Sequence, residues 1–252
     1  WVRSKDNDMH IIPTDTLYVK IDKEAVKKSG MMMASDTIPD KMVISLAGKN
    51  ALYKGDLMIL EMISQCDWTR PLYKASTVGE DNYMNLGDNF VQEGLANRIT
   101  PFTTKGNGTR SFDTEKTYNN LMNRYKYGGL EKRGLYLDET IMRMCQTHRR
   151  LFGQLVLHLL SEGKKDKALK ALQKVEQVIP TYNVPHSYIS GSLDLARAYV
   201  LLGNRQKAAS IIKDMWRNNV QYVEWYLSLS GQNFAISQNE CLKHLMILNQ
   251  IA

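Results

Sequence analysis

The chain is short of cysteine, has no long apolar run and contains no complete catalytic motif, and each absence removes a class of protein. Among 252 residues there are three cysteines, Cys66, Cys145 and Cys241, far apart in apolar company (MISQC, MRMCQ, NECLKHL). Metal and redox motifs need close pairs of cysteines, which are missing here. An odd count argues against a disulfide-built domain, leaves room for at most one long-range bridge, and makes buried thiols the expectation. The best apolar stretch, LFGQLVLHLL at 151–160, is interrupted by Gln154 and His158. It falls short of the roughly 18 residues that a membrane span needs. No basic segment followed by an apolar one succeeds Trp1, so the start does not read as a signal peptide and the chain reads as a piece of a longer protein.

Metal and nucleophile chemistry are equally thin. The five histidines stand at 10, 148, 158, 186 and 244; only His148 and His158 share a predicted helix, too far apart to ligate together. No Ser, His or Cys sits in a nucleophile motif. No catalytic residue, metal or cofactor is therefore assigned.

The formal net charge is +7, unevenly spread. Residues 147–252 hold 13 Lys and Arg against 7 Asp and Glu (+6), whereas residues 1–146 hold 20 against 19 (+1). A basic face attracts nucleic acid, anionic lipid, or an acidic protein or glycan. Aromatics are absent among Lys164, Lys165, Lys167, Lys170 and Lys174, which excludes single-stranded nucleic acid as the natural partner.

The N-terminal part alternates like half-buried strands in LYVKID and KMVISL. KKSGMMMASDTIPD reads as a loop. GDLMILEMISQC, with Asp56 as N-cap, is apolar nearly all round and predicts a buried helix; PLYKAS predicts a second strand. Strand, helix and strand in succession imply a right-handed parallel crossover. NLGDNFVQEG then reads as another helix, LANRITPF as a third strand, and KGNGTRSFDTEK as the polar loop at the far edge of this part.

After Asp138, the expected cap of DETIMRMC, the period becomes that of long helices. Ile141, Cys145, His148, Phe152, Leu155 and Leu159 recur at spacings of four and three, on one face. Gly163 ends that helix and Pro180 stops the next. GKKDKA at 163–168 recurs as GNRQKA at 203–208, so Leu155 maps on Leu195, Leu159 on Tyr199, Leu172 on Ile212 and Val175 on Met215. Two helical hairpins follow, with a degenerate third unit made of VEWYLSLS and NECLKHLMILNQ. The expected fold is α+β: a small α/β domain with a short βαβ sheet over 1–136, then a helical repeat domain over 137–252.

The residues Phe152, Leu155, Leu159, Gly163, Ala168, Leu172 and Pro180 resemble the tetratricopeptide repeat. The 40-residue spacing exceeds that family's 34, because IPTYNVPHSYIS lengthens the connector, and Val156 stands where a small residue is usual. A wider resemblance runs through DTLYVKID, KNALYKGDLMILEMI, DWTRPLYKASTVG, NLGDNFVQEGLANRITPF, GLYLDETIMRMCQTHRR and YNVPHSYISGSLDLA. In this order they are similar to the soluble C-terminal region of an uncharacterised family of multi-spanning membrane proteins of Gram-negative bacteria, whose membrane part resembles GT-C glycosyltransferases of the protein O-mannosyltransferase kind. The resemblance implies a domain at the periplasmic face of the inner membrane, attached to membrane helices in the parent protein. Trp1, Arg3 and Lys5 fit such a juxtamembrane start. The family's catalytic carboxylate lies in its membrane part, so no catalytic residue carries over.

Candidate binding residues come from three places. In the cluster Arg143, His148, Arg149 and Arg150, only Arg143 and Arg150 are close enough in angle to share an anion, while Arg149 points elsewhere. Arg150 and Arg197, in the repeat register, face a groove suited to an acidic or anionic partner. Tyr222 and Trp225, with Trp216 and Tyr226, make either a sugar or peptide platform or the core of the last repeat. Gly48, Lys49, Gly79 and Asp81 lie in loops after the predicted parallel strands, where α/β proteins bind small ligands; ordinary turns explain them as well. The reading is a non-catalytic extracytoplasmic accessory domain that binds a protein, peptide or anionic glycan through its helices. The alternatives are a soluble sugar- or phosphate-modifying enzyme with its site at those loops, and a free-standing repeat scaffold.

Overall fold

Alternating side chains need one dry face and one wet one, and the strands of the N-terminal part find it by pairing antiparallel. The computed structural model describes residues 2–3, 10–11, 14–33, 37–49, 51–79, 84–104 and 111–252. The chain divides into two compact units, Trp1–Thr117 and Tyr118–Ala252. The division falls ahead of the expected 136/137 boundary because the residues in between belong to the helices: Leu121 is buried, and Tyr125 and Tyr127 set their rings edge-on against His148.

In the first unit β1 (Val2–Arg3) pairs with β2 (His10–Ile11), and β3 (Thr16–Lys20) pairs with β4 (Lys41–Ser45), both antiparallel. Met42 and Ile44 of β4 are buried while Lys41, Val43 and Ser45 face out. Between them α1 (Lys23–Lys28) is capped by Asp22, whose carboxylate accepts the N–H groups of Glu24 and Ala25 at 2.9 and 3.1 Å. The sequence gives no periodic sign of α1, since six residues bury only Val26.

Helix α2 (Lys54–Gln65) follows, and then a sheet of β5 (Tyr73–Ala75), β6 (Phe90–Gln92) and β7 (Ala96–Ile99) in the order β5-β7-β6, again antiparallel. The expected parallel crossover is not formed, because β4 and β5 lie in different sheets. Parallel strands are covered on both faces and read as continuous apolar runs; the exposed Lys41, Val43 and Ser45 already favoured the antiparallel arrangement. Nor is α2 buried all round. Ile63 is buried, but Met58 and Met62 are 56% and 50% exposed. Asp56 stands inside the first turn, where its Oδ2 accepts the Tyr53 N–H at 2.9 Å, and Tyr53 takes the cap position. NLGDNFVQEG is a short 3-10 turn (Leu86–Asn89) running into β6. Its helical period fails because the buried Asn89 amide is tied to the carbonyls of Thr100 and Phe102.

Beyond α3 (Thr114–Asn119) the chain is helical: α4 (Glu139–Ser161), α5 (Lys165–Val178), α6 (Ser192–Leu201), α7 (Arg205–Leu227) and α8 (Gly231–Ile251). Asp138 caps α4 by accepting the Ile141 N–H at 2.8 Å, as its sequence implied. Helix α4 packs on α5 and α6, α6 on α7, and α7 on α8. Two of the helices stop in the same way. At the end of α4 the Lys164 N–H reaches back to the Leu159 carbonyl at 2.8 Å across Gly163; at the end of α6 the Asn204 N–H reaches the Tyr199 carbonyl at 2.8 Å across Gly203. Both glycines take positive φ, as this helix stop requires. The third unit differs from expectation. VEWYLSLS starts no new helix: α7 runs unbroken to Leu227, and α8 closes the stack alone.

Close approach of the hairpins occurs one turn from where the tetratricopeptide pattern places it. Gly153 of α4 lies against the Gly191 carbonyl and Asp194 of α6, each 3.0 Å from where its Cβ would stand. A Cβ on Gly191 would lie 2.5 Å from the Arg150 Cα, and Gly191 has φ +69°. Gly191→Ala therefore combines backbone strain with a backbone clash and should cost about 3 kcal/mol. Gly203→Ala, with positive φ but open space around it, should cost only about 1 kcal/mol. Urea unfolding of the two variants measures the difference, and equal losses would remove the clash from the account.

Candidate functional site

The loops after the strands hold less than their composition promised. Gly48 and Gly79 are exposed, and Asp81 lies outside the described residues. Lys49 is not free: its ammonium pairs with the buried Asp56 carboxylate at 3.1 Å, closing the loop onto the start of α2. The Tyr53 N–H, then Lys49, hold that carboxylate below its usual range. With β3–β4 and β5–β7–β6 antiparallel, these loops do not stand at the end of a parallel sheet.

A charged network that the sequence did not reveal ties this unit together. Glu93, buried, accepts the Lys116 ammonium at 2.7 Å and the Tyr73 hydroxyl at 2.7 Å, with Arg98 3.8 Å away. Lys116 also donates to the Gly30 carbonyl and Arg98 to that of Ser29. Burial, then the Glu93 carboxylate, push the Tyr73 hydroxyl up to about 12, so it stays a donor at neutral pH.

In the helical unit the predicted cations separate. Arg143 and Arg150 are both exposed on α4, seven residues and about 10 Å of rise apart. Arg197 joins Arg205 instead, beside a groove of about 590 Å³ whose walls are Leu157 of α4, Leu193, Val200 and Leu201 of α6, and Ala208 and Ile212 of α7. Nearly all of that lining is carbon. Tyr222 stacks on His244 of α8 with ring centroids 4.5 Å apart, and Trp225 sets its ring edge against Tyr226. Half of each surface remains exposed, at 52% for Tyr222 and 54% for Trp225.

Arg149 points away from Arg143 and Arg150, as expected, and has the largest consequence. It is 1% exposed, and its guanidinium donates to the carbonyls of Ile179 at 2.9 Å, Val184 at 2.5 Å and Pro185 at 2.9 Å. These lie at the end of α5 and in the connector to α6, so one side chain of α4 fixes the path of the lengthened loop. Asn183 holds the other side by donating to the carbonyls of Leu130 and Lys132, each at 2.6 Å. The spacing of four, three and four in Cys145, Arg149, Phe152 and Val156, all buried, was the available sign that Arg149 faces inward.

Beside Arg149 a cavity opens between α5, α6 and α7. His186 lines it with Tyr199, Glu176, Lys207 and Asp214. Glu176 accepts Lys207 at 2.6 and 2.5 Å and is also hydrogen-bonded by the Tyr199 hydroxyl. Burial, then this carboxylate, raise Tyr199 far above the usual phenol. The Ser190 hydroxyl donates to the Ser187 carbonyl at 2.8 Å, so the Ser190–Ser192 bond, also 2.8 Å, uses the Ser192 proton. His186 must then donate from Nδ1 to Ser192 at 2.8 Å, which leaves Nε2 as a bare acceptor. Burial, then the charge of Arg149, depress this imidazole to about 4.

Residues 2–118 match the family model of TMEM260-associated domain 2. That is a domain of unknown function, and the match ends where the first unit ends. No curated protein and no solved structure matches the chain. The helices that carry the groove and the cavity lie beyond the matched segment.

Two consequences can be measured. Arg149→Met leaves three carbonyls, those of Ile179 and Val184 buried, without this donor and should lower stability by about 3 kcal/mol or more, whereas the exposed Arg143→Met should stay within about 0.5 kcal/mol; equal urea midpoints would show that Arg149 holds nothing. His186 takes up its proton near 4 when folded and near 6.5 when unfolded. The unfolded chain binds more protons in that window, so stability falls as pH drops from about 6.5 to about 4, by on the order of 3 kcal/mol from this residue. His186→Gln should flatten that slope, and leave the part due to His148, His158 and His244, which burial also depresses. An unchanged slope would refute the assignment.

Proposed function

We propose that the chain is a non-catalytic accessory domain of a glycosyltransferase-like integral membrane protein, lies on the periplasmic side, and binds a protein or glycan partner through tetratricopeptide-like hairpins. The match of residues 2–118 is consistent with an accessory domain of a membrane protein. None of the described helices is long and apolar enough to cross a membrane. The observation that carries the partner-binding reading is the groove between α4, α6 and α7. Val200 and Leu201 stand 53% and 65% exposed beside it, and contiguous apolar surface left open on a folded unit marks an interaction site.

Arg197 and Arg205 at the edge give that surface a sign. A partner with an apolar segment flanked by acids, or an anionic glycan, meets carbon in the groove and guanidinium beside it. The carboxylate of the half-buried Asp194 lies 3.8 Å from the exposed Arg197, too distant to hold it firmly.

The test is made in the parent protein. Reporter fusions at the first residue of the chain should be active only outside the cytoplasm, and a cytoplasmic signal would overturn the location. Val200→Lys with Leu201→Lys should leave the unfolding midpoint of the isolated chain within about 0.5 kcal/mol and lower the parent's activity at least tenfold. Full activity in a folded double variant would remove the groove from the function.

A further inference from the structure

The cavity beside Arg149 has the make-up of a small-ligand site. Its volume of about 360 Å³ lies within the roughly 300–1,000 Å³ that suits small molecules. The apolar side chains of Leu172, Val175, Leu195 and Ile211 form part of its lining. Set into the wall is a guanidinium removed almost completely from water. Arginine has five N–H donors, and three of them are spent on Ile179, Val184 and Pro185. The remaining two, on Nε and Nη1, have no acceptor among the described residues.

The charge of Arg149 is also unmatched. Burial lowers its proton affinity, to about 10, and no carboxylate acts against that shift. Of the acids that share the cavity, Glu176 is engaged by Lys207 and Tyr199, while Asp214 meets only the exposed Arg217, at 3.8 Å. They still set an upper limit on the charge of a guest, because a dianion would be repelled by both. A desolvated cation favours one negative charge, and the carbon lining favours a short hydrocarbon attached to it.

We propose that this cavity binds a small aliphatic carboxylate, with its anion on the free N–H donors of Arg149 and its hydrocarbon against Leu172, Val175, Leu195 and Ile211. The site is separate from the groove and does not depend on the accessory-domain reading. It gives the helical unit a ligand of its own.

Isothermal titration of the whole chain with isobutyrate tests it, against isobutyramide, the neutral molecule of the same shape, and against inorganic phosphate. One molecule of isobutyrate should bind per chain with a dissociation constant on the order of 1 mM, within reach of a ligand of about six heavy atoms. Isobutyramide should bind at least tenfold more weakly, and phosphate should not compete. Ser210, exposed on α7 and at the cavity wall, makes no contact with Arg149 that folding needs; Ser210→Trp should keep the unfolding midpoint and weaken isobutyrate at least tenfold by filling the space. The proposal is overturned by absence of saturable heat, by equal binding of the amide, by phosphate binding more tightly than isobutyrate, or by unchanged affinity in Ser210→Trp.

Discussion

A single buried cation organises the helical unit, and its cost explains its placement. Taking a guanidinium out of water costs several kcal/mol. Three charge-assisted hydrogen bonds, each contributing about 1.5–3 kcal/mol, and the negative end of α5, where Ile179 presents its carbonyl, offset that cost. A carboxylate partner would have neutralised Arg149 but left the carbonyls of the connector bare. By choosing carbonyls, α4 fixes the end of α5 and the start of the descent to α6 at once. Gly191, pressed against the Arg150 backbone, completes the same junction from the other side.

The helices were the legible part of this chain because their signals are local. Asp138 caps α4 through its own first turn, and Gly163 and Gly203 stop two helices by the same backbone reversal. The strands were legible as strands but not as a sheet. Alternation in KMVIS specifies which side chains are dry, and says nothing of which segment lies alongside. The parallel crossover was therefore an inference about partners drawn from order alone. Among the candidate residues, Lys49 pairs with Asp56, and Arg149 points away from Arg143 and Arg150, as its angle on the helix implied, into the centre of the unit. What each charge meets could not be read from its neighbours in sequence, because the deciding groups, seven and thirty or more residues away, are out of view.

The two units differ in how they use charge. In the first, Glu93 gathers Lys116, Tyr73 and Arg98 into a network whose members come from separate strands, a helix and the turn after α1. Positive and negative charges there are nearly equal in number and act as internal ties. In the second, the surplus of cations lies on the outside, and the one cation inside is bound by dipoles. The family match covers the first kind of unit alone, whereas the groove and the cavity belong to the second.

All three cysteines are free and buried, Cys66 in the core of the first unit, Cys145 on α4 and Cys241 on α8. Burial raises the thiol of Cys145 above its ordinary range, which withholds the reactive thiolate. Burial shields all three thiols from reagents for as long as the chain stays folded. The same thiols sit in both units and at both ends of the helical stack, so the order in which they become reactive would record where the molecule opens first.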